Sequence, residues 1–411
     1  MVFFLYLSGT MEAREVYLDN AATTPIDSRV AAAMEPFINT MYGNPSSFHM
    51  RGKEVRDAID DARVVVAGVL GARPDEVVFT SGGTEANNLA ILGFARKNKQ
   101  HGTHIISART EHPSVLEPLE HLAKHEGFEV TYVDTDAFGC VDQEAVMAAL
   151  REDTILVTVM YANNEIGTIS DVKKIGAAVR KFREANKKAF PVFHTDACQA
   201  VGALEVDVQK LNVDMMSINS SKIYGPKGVG ALYVHRSIRL QPTQFGGSQE
   251  KRLRPGTENV IGIIGFCEAV KIADEEREQE SVRLTKLRDD LIERILKEIP
   301  KTRLNGHKED RLPNNVNISF MDIEGEALLL YLDAKGVFAA TGSACTSATL
   351  DPSHVILALG LPYEVAHGSI RFSLGRSTTK EDIDYVIEVL PSLVEKLRKI
   401  SPVRVDPKYF L

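Results

Sequence analysis

Residues 217–230 read SINSSKIYGPKGVG and set one lysine, Lys222, between a hydroxyl-rich approach and a glycine-rich exit. An amine that bonds a cofactor aldehyde needs a backbone that lets the cofactor come close, and small residues and glycines provide that. The stretch therefore predicts a Schiff-base lysine at position 222. The alternative is a solvated lysine in a turn, the commoner origin of so short a motif. Four other segments with matching parts favour the first interpretation.

Short β-branched runs surround this stretch and alternate with amphipathic segments. The runs predicted as strands are 76–80, 104–107, 128–133, 154–160, 191–195, 215–219 and 231–234, and helix patterns fall at 84–97 and 172–185. Such alternation predicts crossover units on a mostly parallel sheet. The segments that carry chemistry fall at strand ends, where open α/β sheets bind their ligands.

The pattern changes in the last third of the chain. A long charged helix is predicted after about residue 277, followed by a strand at 316–320, a helix near 324–334 and a closing helix at 380–399. These elements predict a smaller α+β domain. A length of 411 residues also exceeds the size at which one hydrophobic core stops growing, so two domains are expected.

Composition narrows the class of protein. The formal charge of -8 argues against a nucleic-acid partner, and no run approaches the roughly 20 apolar residues that span a membrane. The four cysteines lack the short paired spacing of a zinc site or a disulfide framework, which favours a reducing, cytoplasmic compartment. Residues 1–10 are interpreted as an extension ahead of Met11.

Motifs between residues 17–25 (YLDNAATTP) and 369–376 (SIRFSLGR) occur in an order that resembles the cysteine desulfurases, in the class V aminotransferase group of pyridoxal-phosphate enzymes. The resemblance covers nearly the whole chain. It implies a fold-type I transferase with a large domain, residues 27–276, built on a mostly parallel seven-stranded sheet. It also implies a small domain, residues 1–26 and 277–411, that carries the catalytic cysteine loop.

Residues 80–88 (TSGGTEANN) follow a predicted strand and open a helix, so that free amide hydrogens point at one spot that suits a phosphate. A simple helix cap is the alternative. The resemblance implies that Gly83 and Thr84 hold the cofactor phosphate. The family usually has a serine and a histidine where this chain has Asn219 and Ser221; both can donate hydrogen bonds, but the missing positive charge leaves the cofactor affinity open.

Other residues are assigned to the cofactor ring. Asp196 ends an apolar run that would bury its carboxylate, and pairing with a protonated pyridine nitrogen would offset the cost; it could also cap a following helix. The resemblance implies that Gln199 bonds the phenolic oxygen and that Asn164 contacts cofactor and substrate. It makes His112 the ring that stacks on the cofactor and moves protons; otherwise His112 would be a half-buried histidine, and Asn164 part of a turn.

Residues 341–349 (TGSACTSAT) are small and carry one cysteine, which predicts an exposed, mobile loop with a reactive thiol. The resemblance makes Cys345 the persulfide-forming nucleophile. Arg371 lies in a strand-like run, where it would pair with an internal carboxylate or, as in the family, with the substrate carboxylate. The other cysteines lie in apolar or helical contexts and are interpreted as packing residues.

The resemblance implies a homodimer that converts L-cysteine to L-alanine with pyridoxal 5'-phosphate and passes sulfur from Cys345 to an acceptor, such as an iron-sulfur scaffold or a tRNA-thiolation protein. Thr257 matches a threonine that reaches the phosphate of the neighbouring subunit; a helix N-cap is its alternative role. The catalytic residues so assigned are Lys222, Cys345 and His112. A selenocysteine lyase, a related aminotransferase and a catalytically silent scaffold are the competing functions.

Overall fold

The computed structural model describes residues 14–342 and 352–409. Its strands are β1 (Val16–Tyr17), β2 (Val77–Thr80), β3 (His104–Ala108), β4 (Glu129–Val133), β5 (Thr154–Thr158), β6 (Val192–Asp196), β7 (Met215–Asn219), β8 (Gly230–Val234), β9 (Thr302–Leu304), β10 (Asn315–Phe320), β11 (Val337–Phe338) and β12 (Ser369–Ser373). Its helices are α1 (Ser28–Asn39), α2 (Met50–Val69), α3 (Gly83–Asn88), α4 (Phe94–Asn98), α5 (Pro113–His125), α6 (Gln143–Ala148), α7 (Val172–Asn186), α8 (Val208–Leu211), α9 (Val260–Glu298), α10 (Gly325–Asp333), α11 (His354–Ala358), α12 (Tyr363–His367) and α13 (Lys380–Ile400).

The large sheet has seven strands in the order β2-β8-β7-β6-β5-β3-β4. Its neighbours run parallel except at β8, which is antiparallel to both β2 and β7. The seven runs predicted as strands form this sheet, each within three residues of its predicted bounds. The predicted α/β fold class with a mostly parallel seven-stranded sheet is therefore confirmed.

Both faces of the large sheet are covered by apolar side chains. Consecutive residues on one strand, such as Met215 and Met216, belong to different hydrophobic clusters because side chains alternate across a sheet. A strand buried on both faces reads as a continuous apolar run, which is why these strands could be recognised in the sequence.

Two smaller sheets lie outside the large one. β12, β10 and β9 form an antiparallel sheet, and β1 pairs in parallel with β11. Val16 and Leu18 pack in a core that also contains buried residues between Leu284 and Leu397, among them residues of α9, β10 and α13. The domain bounds at residues 26 and 276 remain predictions.

The long helix α9 differs from its predicted start near residue 277. It begins at Val260, where the Asn259 side chain accepts a hydrogen bond from Gly262 N, and it crosses residue 276 without a break. Its first part is apolar and buried against α1 and α2, so it shows no charged face to mark it as a surface helix.

The predicted helix at 84–97 is observed as one helical run from α3 to α4, interrupted by a π-helical turn at Leu89–Gly93. No helix in the described ranges is long and apolar enough to cross a membrane. The same residues contain no group of three or more His, Cys, Asp or Glu side chains placed to hold a metal ion.

Candidate functional site

A cavity of about 200 Å³ lies where the segments after β6 and β7 meet the start of α3. It is lined by Ala21, Ala22, Gly83, Thr84, Asn87, His112, Ser114, Met160, Asn164, Asp196, Cys198, Gln199, Asn219, Lys222 and Arg371. Of the twelve residues assigned to the site from the sequence, nine line this cavity; Ser221 and Thr257 are not among the lining residues, and Cys345 lies outside the described residues.

Lys222 stands at the end of a short 3-10 turn, Ser220–Lys222, that directly follows β7. The Asn219 side chain caps this turn by accepting from Ser221 N at 2.9 Å and from Ser221 Oγ at 3.1 Å. Lys222 Nζ contacts the carbonyl oxygen of Ala22 in the N-terminal segment. The second lysine of the motif, Lys227, bonds Thr24 O at 2.7 Å and is not among the cavity residues.

Asp196 is the last residue of β6 and is 2 % exposed. Its Oδ1 accepts from Cys198 N at 2.9 Å, and its Oδ2 accepts from Asn87 Nδ2 at 2.7 Å. No arginine or lysine in the described ranges forms an ion pair with it. The bond to Cys198 N has N-cap geometry, but the residues that follow form turns and no helix. The carboxylate is thus buried without a cationic partner, which is costly unless a bound cation pairs with it.

Asn87 connects Asp196 to the side of the cavity that holds His112. Its Nδ2 also donates to Ser114 Oγ at 2.8 Å, and Ser114 Oγ lies 2.8 Å from His112 Nδ1. Ser114 N donates to the same Nδ1, so that nitrogen accepts and the ring proton resides on Nε2. Burial lowers the pKa of His112, although Asp196 acts in the opposite direction. His112 is therefore a neutral imidazole at neutral pH, and it also caps α5.

The predicted phosphate end of the cavity is formed by the start of α3 and by Asn219. A Cβ added to Gly83 would lie 2.6 Å from Cys198 Sγ and 3.7 Å from the Asn219 side chain, so only glycine fits there. Thr84 is exposed at the edge of the cavity, and the N-cap position, Gly82, makes no side-chain capping bond. Ser81 N and Gly82 N bond the Glu85 and Thr80 side chains, whereas the amides of Gly83 and Thr84 have no acceptor among the described residues and are left for another partner.

Arg371 and Asn164 lie at the opposite side, where β12 meets the turn after β5. Arg371 is 1 % exposed; its Nη2 donates to Asp19 Oδ1 at 2.7 Å and its Nη1 to Asn164 O at 3.1 Å. Its Nε is buried and has no hydrogen-bond partner among the described residues. The internal carboxylate considered for Arg371 thus exists, and the unsatisfied Nε leaves the guanidinium able to take a further acceptor. Gln199 Nε2 donates to Ala21 O at 3.0 Å.

Thr257 does not line the cavity. Thr257 is exposed, and the N-cap of α9 is Asn259, so the capping alternative for Thr257 is wrong. Cys345 lies outside the described residues, as does most of the predicted small-residue loop at 341–349. Burial raises the pKa of Cys140 and of Cys267 to about 11, and it raises the pKa of Cys198 well above its usual value. These three thiols are therefore protonated and weakly nucleophilic at neutral pH.

Sequence reasoning missed Asn87, Ser114 and Cys198 as cavity residues. Asn87 follows Gly83 by one helical turn and therefore faces the same side, a signal that the spacing alone contained. Ser114 follows His112 at the start of α5 and offered no such signal. Cys198 lies between the two assigned residues Asp196 and Gln199, but its apolar context hid its position.

The residues present fit pyridoxal phosphate. A buried carboxylate without a cationic partner among the described residues suits a protonated pyridine nitrogen, and the start of α3, which no side chain caps, suits a phosphate. Lys222 places an amine, the group that bonds an aldehyde, on the same cavity.

Comparison with known proteins gives one consistent group of relatives. The profile of the family described as aminotransferase class-V matches residues 16–386. "Cysteine desulfurase IscS" of Dictyoglomus turgidum is 50% identical over 395 residues, covering 96% of this chain and 98% of the relative. The protein of the same name from Methanosarcina thermophila is 50% identical over 391 residues, covering 95% of each chain.

Solved structures agree. A "NIFS-LIKE PROTEIN" superposes with a TM-score of 0.87 at 36% identity, covering 93% of this chain and 100% of the other. A structure titled "SspA in complex with cysteine" gives a TM-score of 0.76 at 34% identity, with 87% and 98% covered.

Proposed function

The chain belongs to the class V aminotransferase family, and from this premise we propose how its residues carry out its reaction. It is a cysteine desulfurase, its substrate is cysteine, and its cofactor is pyridoxal phosphate. The observation that carries the assignment of roles is the convergence of Lys222, Asp196, His112 and Arg371 on one cavity.

The overall reaction moves one sulfur atom. L-cysteine and the Cys345 thiol become L-alanine and a Cys345 persulfide. The Cys345 thiolate attacks the substrate sulfur, a sulfur–sulfur bond forms, and the bond between substrate Cβ and sulfur breaks. Its electron pair stays with Cβ, which takes up a proton and becomes the methyl group of alanine. No external oxidant or reductant is needed for this step.

Different cavity residues bind different parts of the cofactor. Lys222 is the amine for its aldehyde, and Asp196 pairs with its ring nitrogen while Gln199 and Asn164 reach its polar edge. Gly83, Thr84, Asn219 and Ser221 hold its phosphate. When bound, pyridoxal phosphate supplies an electron sink for negative charge at the substrate α-carbon.

Protein groups position the substrate and move its protons. Arg371 binds the substrate carboxylate, helped by its unsatisfied Nε, and Asn164 lies beside it. Lys222 Nζ takes the proton from the α-carbon, because it is the amine on this cavity. His112 would hold the face of the cofactor ring and would exchange a proton at Nε2, since its Nδ1 is held by Ser114.

A homodimer completes the site in this proposal. Thr257 is exposed and away from the cavity of its own chain, which supports a role at the phosphate of a neighbouring subunit. Large apolar side chains are also exposed near the chain segment that joins α1 to α2: Ile38, Tyr42, Phe48 and Met50, together with Phe245. Apolar groups gathered in this way are typical of a surface that another protein covers.

The sulfur leaves Cys345 for an acceptor protein, such as an iron-sulfur scaffold or a tRNA-thiolation protein. The four cysteines of the chain, scattered without paired spacing, support a cytoplasmic location. The acidic net charge of -8 supports protein partners over nucleic acid or an anionic membrane.

Replacement of Cys345 tests the proposed route of sulfur. Cys345→Ser should still bind cysteine, seen as a change in cofactor absorbance, but should release alanine and sulfide far more slowly, because a hydroxyl is a poor nucleophile toward sulfur. Cys140→Ser is the matched control, since the half-buried Cys140 lies outside the cavity, and it should behave like the wild type. Undiminished sulfide release by Cys345→Ser with dithiothreitol present would remove Cys345 from the mechanism.

A further inference from the structure

Glu165 follows Asn164 in the turn after β5 and is 1 % exposed. Its backbone is fixed on both sides: its N–H donates to Asn163 Oδ1 at 2.9 Å, and its carbonyl accepts from Asn315 Nδ2 at 3.1 Å and Asn317 Nδ2 at 3.0 Å. The last two residues belong to β10, so the turn that carries Asn164 is held by the smaller sheet. Glu165 is a buried acid whose main chain cannot shift freely.

The Glu165 carboxylate bonds the residue Ser353 on one side of the segment 343–351 and lies beside Gly342 on the other. Ser353 Oγ donates to Glu165 Oε2, and it also accepts from Ile356 N at the start of α11. On the other side, a Cβ added to Gly342 would lie 2.9 Å from Glu165 Oε2 and 3.1 Å from Ser353 Cβ. Gly342 and Ser353, the flanks of the segment that carries Cys345, therefore meet at one carboxylate oxygen.

Neighbouring contacts join the same flanks to the cavity. Ala340 and Arg371 exchange backbone hydrogen bonds of 3.1 and 2.6 Å, which ties the first flank to the arginine of the site. His354 Nε2 donates to Glu111 O at 2.9 Å, which ties the second flank to the residue before His112. Glu165 Oε2, in contrast, lies beside both flanking residues, Gly342 and Ser353.

We propose that Glu165 is a positioning residue for sulfur transfer: its carboxylate bonds Ser353 beside Gly342, and this junction of the two flanking residues controls how fast sulfur reaches Cys345. The proposal rests on the role of Cys345 given above. Glu165 touches neither substrate nor cofactor in this scheme, and it acts through the Ser353 hydroxyl. Loss of the contact should slow the arrival of sulfur at Cys345 while leaving cysteine binding in place.

Single-turnover measurements on the holoenzyme test this directly. L-cysteine is mixed with enzyme, the reaction is quenched by alkylation, and persulfide on the Cys345 peptide is quantified by mass spectrometry. Ser353→Ala should form persulfide about tenfold more slowly or worse, the effect of losing one hydrogen bond to a charged group. Ser353→Thr keeps the hydroxyl and should restore the rate to within about threefold of wild type, in keeping with the hydrogen-bond origin of the effect.

A double-mutant cycle separates this role from helix capping by Ser353. Ser353→Ala removes the cap to Ile356 N both in wild-type enzyme and in Glu165→Gln, and this loss slows the reaction equally in the two. The rate effects of the two changes are therefore non-additive only if Ser353 and Glu165 are directly coupled. With Glu165→Gln already present, Ser353→Ala should therefore add little further loss. Cofactor absorbance and its titration with cysteine should stay close to wild type in all variants.

Two results would overturn the inference: wild-type persulfide formation by Ser353→Ala, or rate losses for the two changes that simply multiply. Wild-type enzyme that makes alanine without persulfide on Cys345 would instead reject the proposed sulfur route, so the two failures are distinguishable.

Discussion

Asn87 Nδ2 donates to Asp196 Oδ2 at 2.7 Å, between two residues that are 109 positions apart in the chain. The same amide nitrogen bonds Ser114 Oγ, which contacts the His112 ring. One asparagine therefore orients both the carboxylate assigned to the cofactor nitrogen and, through Ser114, the imidazole assigned to its face. Asn87 Oδ1 is buried and has no partner in the part of the chain that the structure describes, where the amide is held by its nitrogen.

Asn87→Ala should lower kcat about tenfold, because Asp196 loses a hydrogen bond to its charged oxygen and is less firmly oriented. The absorbance titration of the bound cofactor should shift as well, since the pairing with its ring nitrogen weakens. Asn88→Ala is the matched control, because Asn88 bonds only Thr84 O among the contacts described and does not line the cavity. Equal kcat values for Asn87→Ala and wild type would show that Asp196 needs no such support.

Lys222→Ala should abolish the covalent attachment of the cofactor. Borohydride reduction of the wild-type enzyme followed by peptide mapping should label Lys222. Lys227→Ala should keep the chromophore, since Lys227 bonds Thr24 O and lies outside the cavity. A label found on Lys227 would overturn the assignment.

Arg371→Lys should raise KM for cysteine by about tenfold or more with a smaller change in kcat, because an ammonium cannot reproduce the planar fork that binds a carboxylate with two donors. Lysine also keeps a positive charge beside the half-buried Asp19 partner, which limits the loss of stability. Cysteamine, which lacks the carboxylate, serves as the control substrate: its weak binding should be unaffected. An unchanged KM for cysteine would place substrate recognition elsewhere.

Subunit mixing tests whether Thr257 acts across a dimer. Lys222→Ala chains refolded together with Thr257→Ala chains should regain activity above the sum of the parents, because one site in each mixed dimer then has both Lys222 and Thr257. If Thr257 serves its own chain, every site keeps one defect. No recovery in dimers shown to be mixed would reject a shared site.

His194 should contribute to acid destabilisation. It is fully buried in β6 between Thr158 Oγ1 at 2.8 Å and Ser217 Oγ at 3.0 Å, and burial lowers its pKa to about 4. Between about pH 6.5 and pH 4 the unfolded chain binds a proton that the folded chain does not. Stability therefore falls as the pH falls through this window, by about 2 kcal/mol from pH 6.5 to pH 5.

Denaturation of the holoenzyme with urea at pH 7.5 and at pH 5 measures this effect. His194→Gln should be less sensitive to acid than wild type, since its amide does not titrate. Burial raises the pKa of Glu111, which stabilises the fold at low pH and opposes this trend, but it does so equally in both proteins. Parallel pH profiles for the two proteins would contradict the prediction.

Much of the site could be predicted because its residues lie in short motifs. Lys222 follows β7, Asp196 ends β6 and Gly83 opens α3, so each is carried to the same edge of the sheet by its own strand or helix. The parallel arrangement of the strands then brings them together whatever the intervening sequence contains. Nine of the assigned residues do line the cavity for this reason.

The start of α9 was predicted too late because its first turns carry no local signal. Residues such as Ile263, Phe266 and Val270 are buried against α1 and α2, so apolar side chains cover more of the helix surface than one stripe. A charged face appears only further along, and that is where the pattern predicted the helix to begin.

The sequence alone determined the order of strands and helices along the chain and the motifs that identify the family, because both depend on residues close together in the chain. The tertiary structure alone decided the bonds between distant residues: Asn87 with Asp196, Arg371 with Asp19, and Glu165 with Ser353. Each joins segments that are separated by more than a hundred residues. Periodicity and spacing carry no information about such pairs, since only the packing of the sheets and helices sets which buried polar groups must find one another.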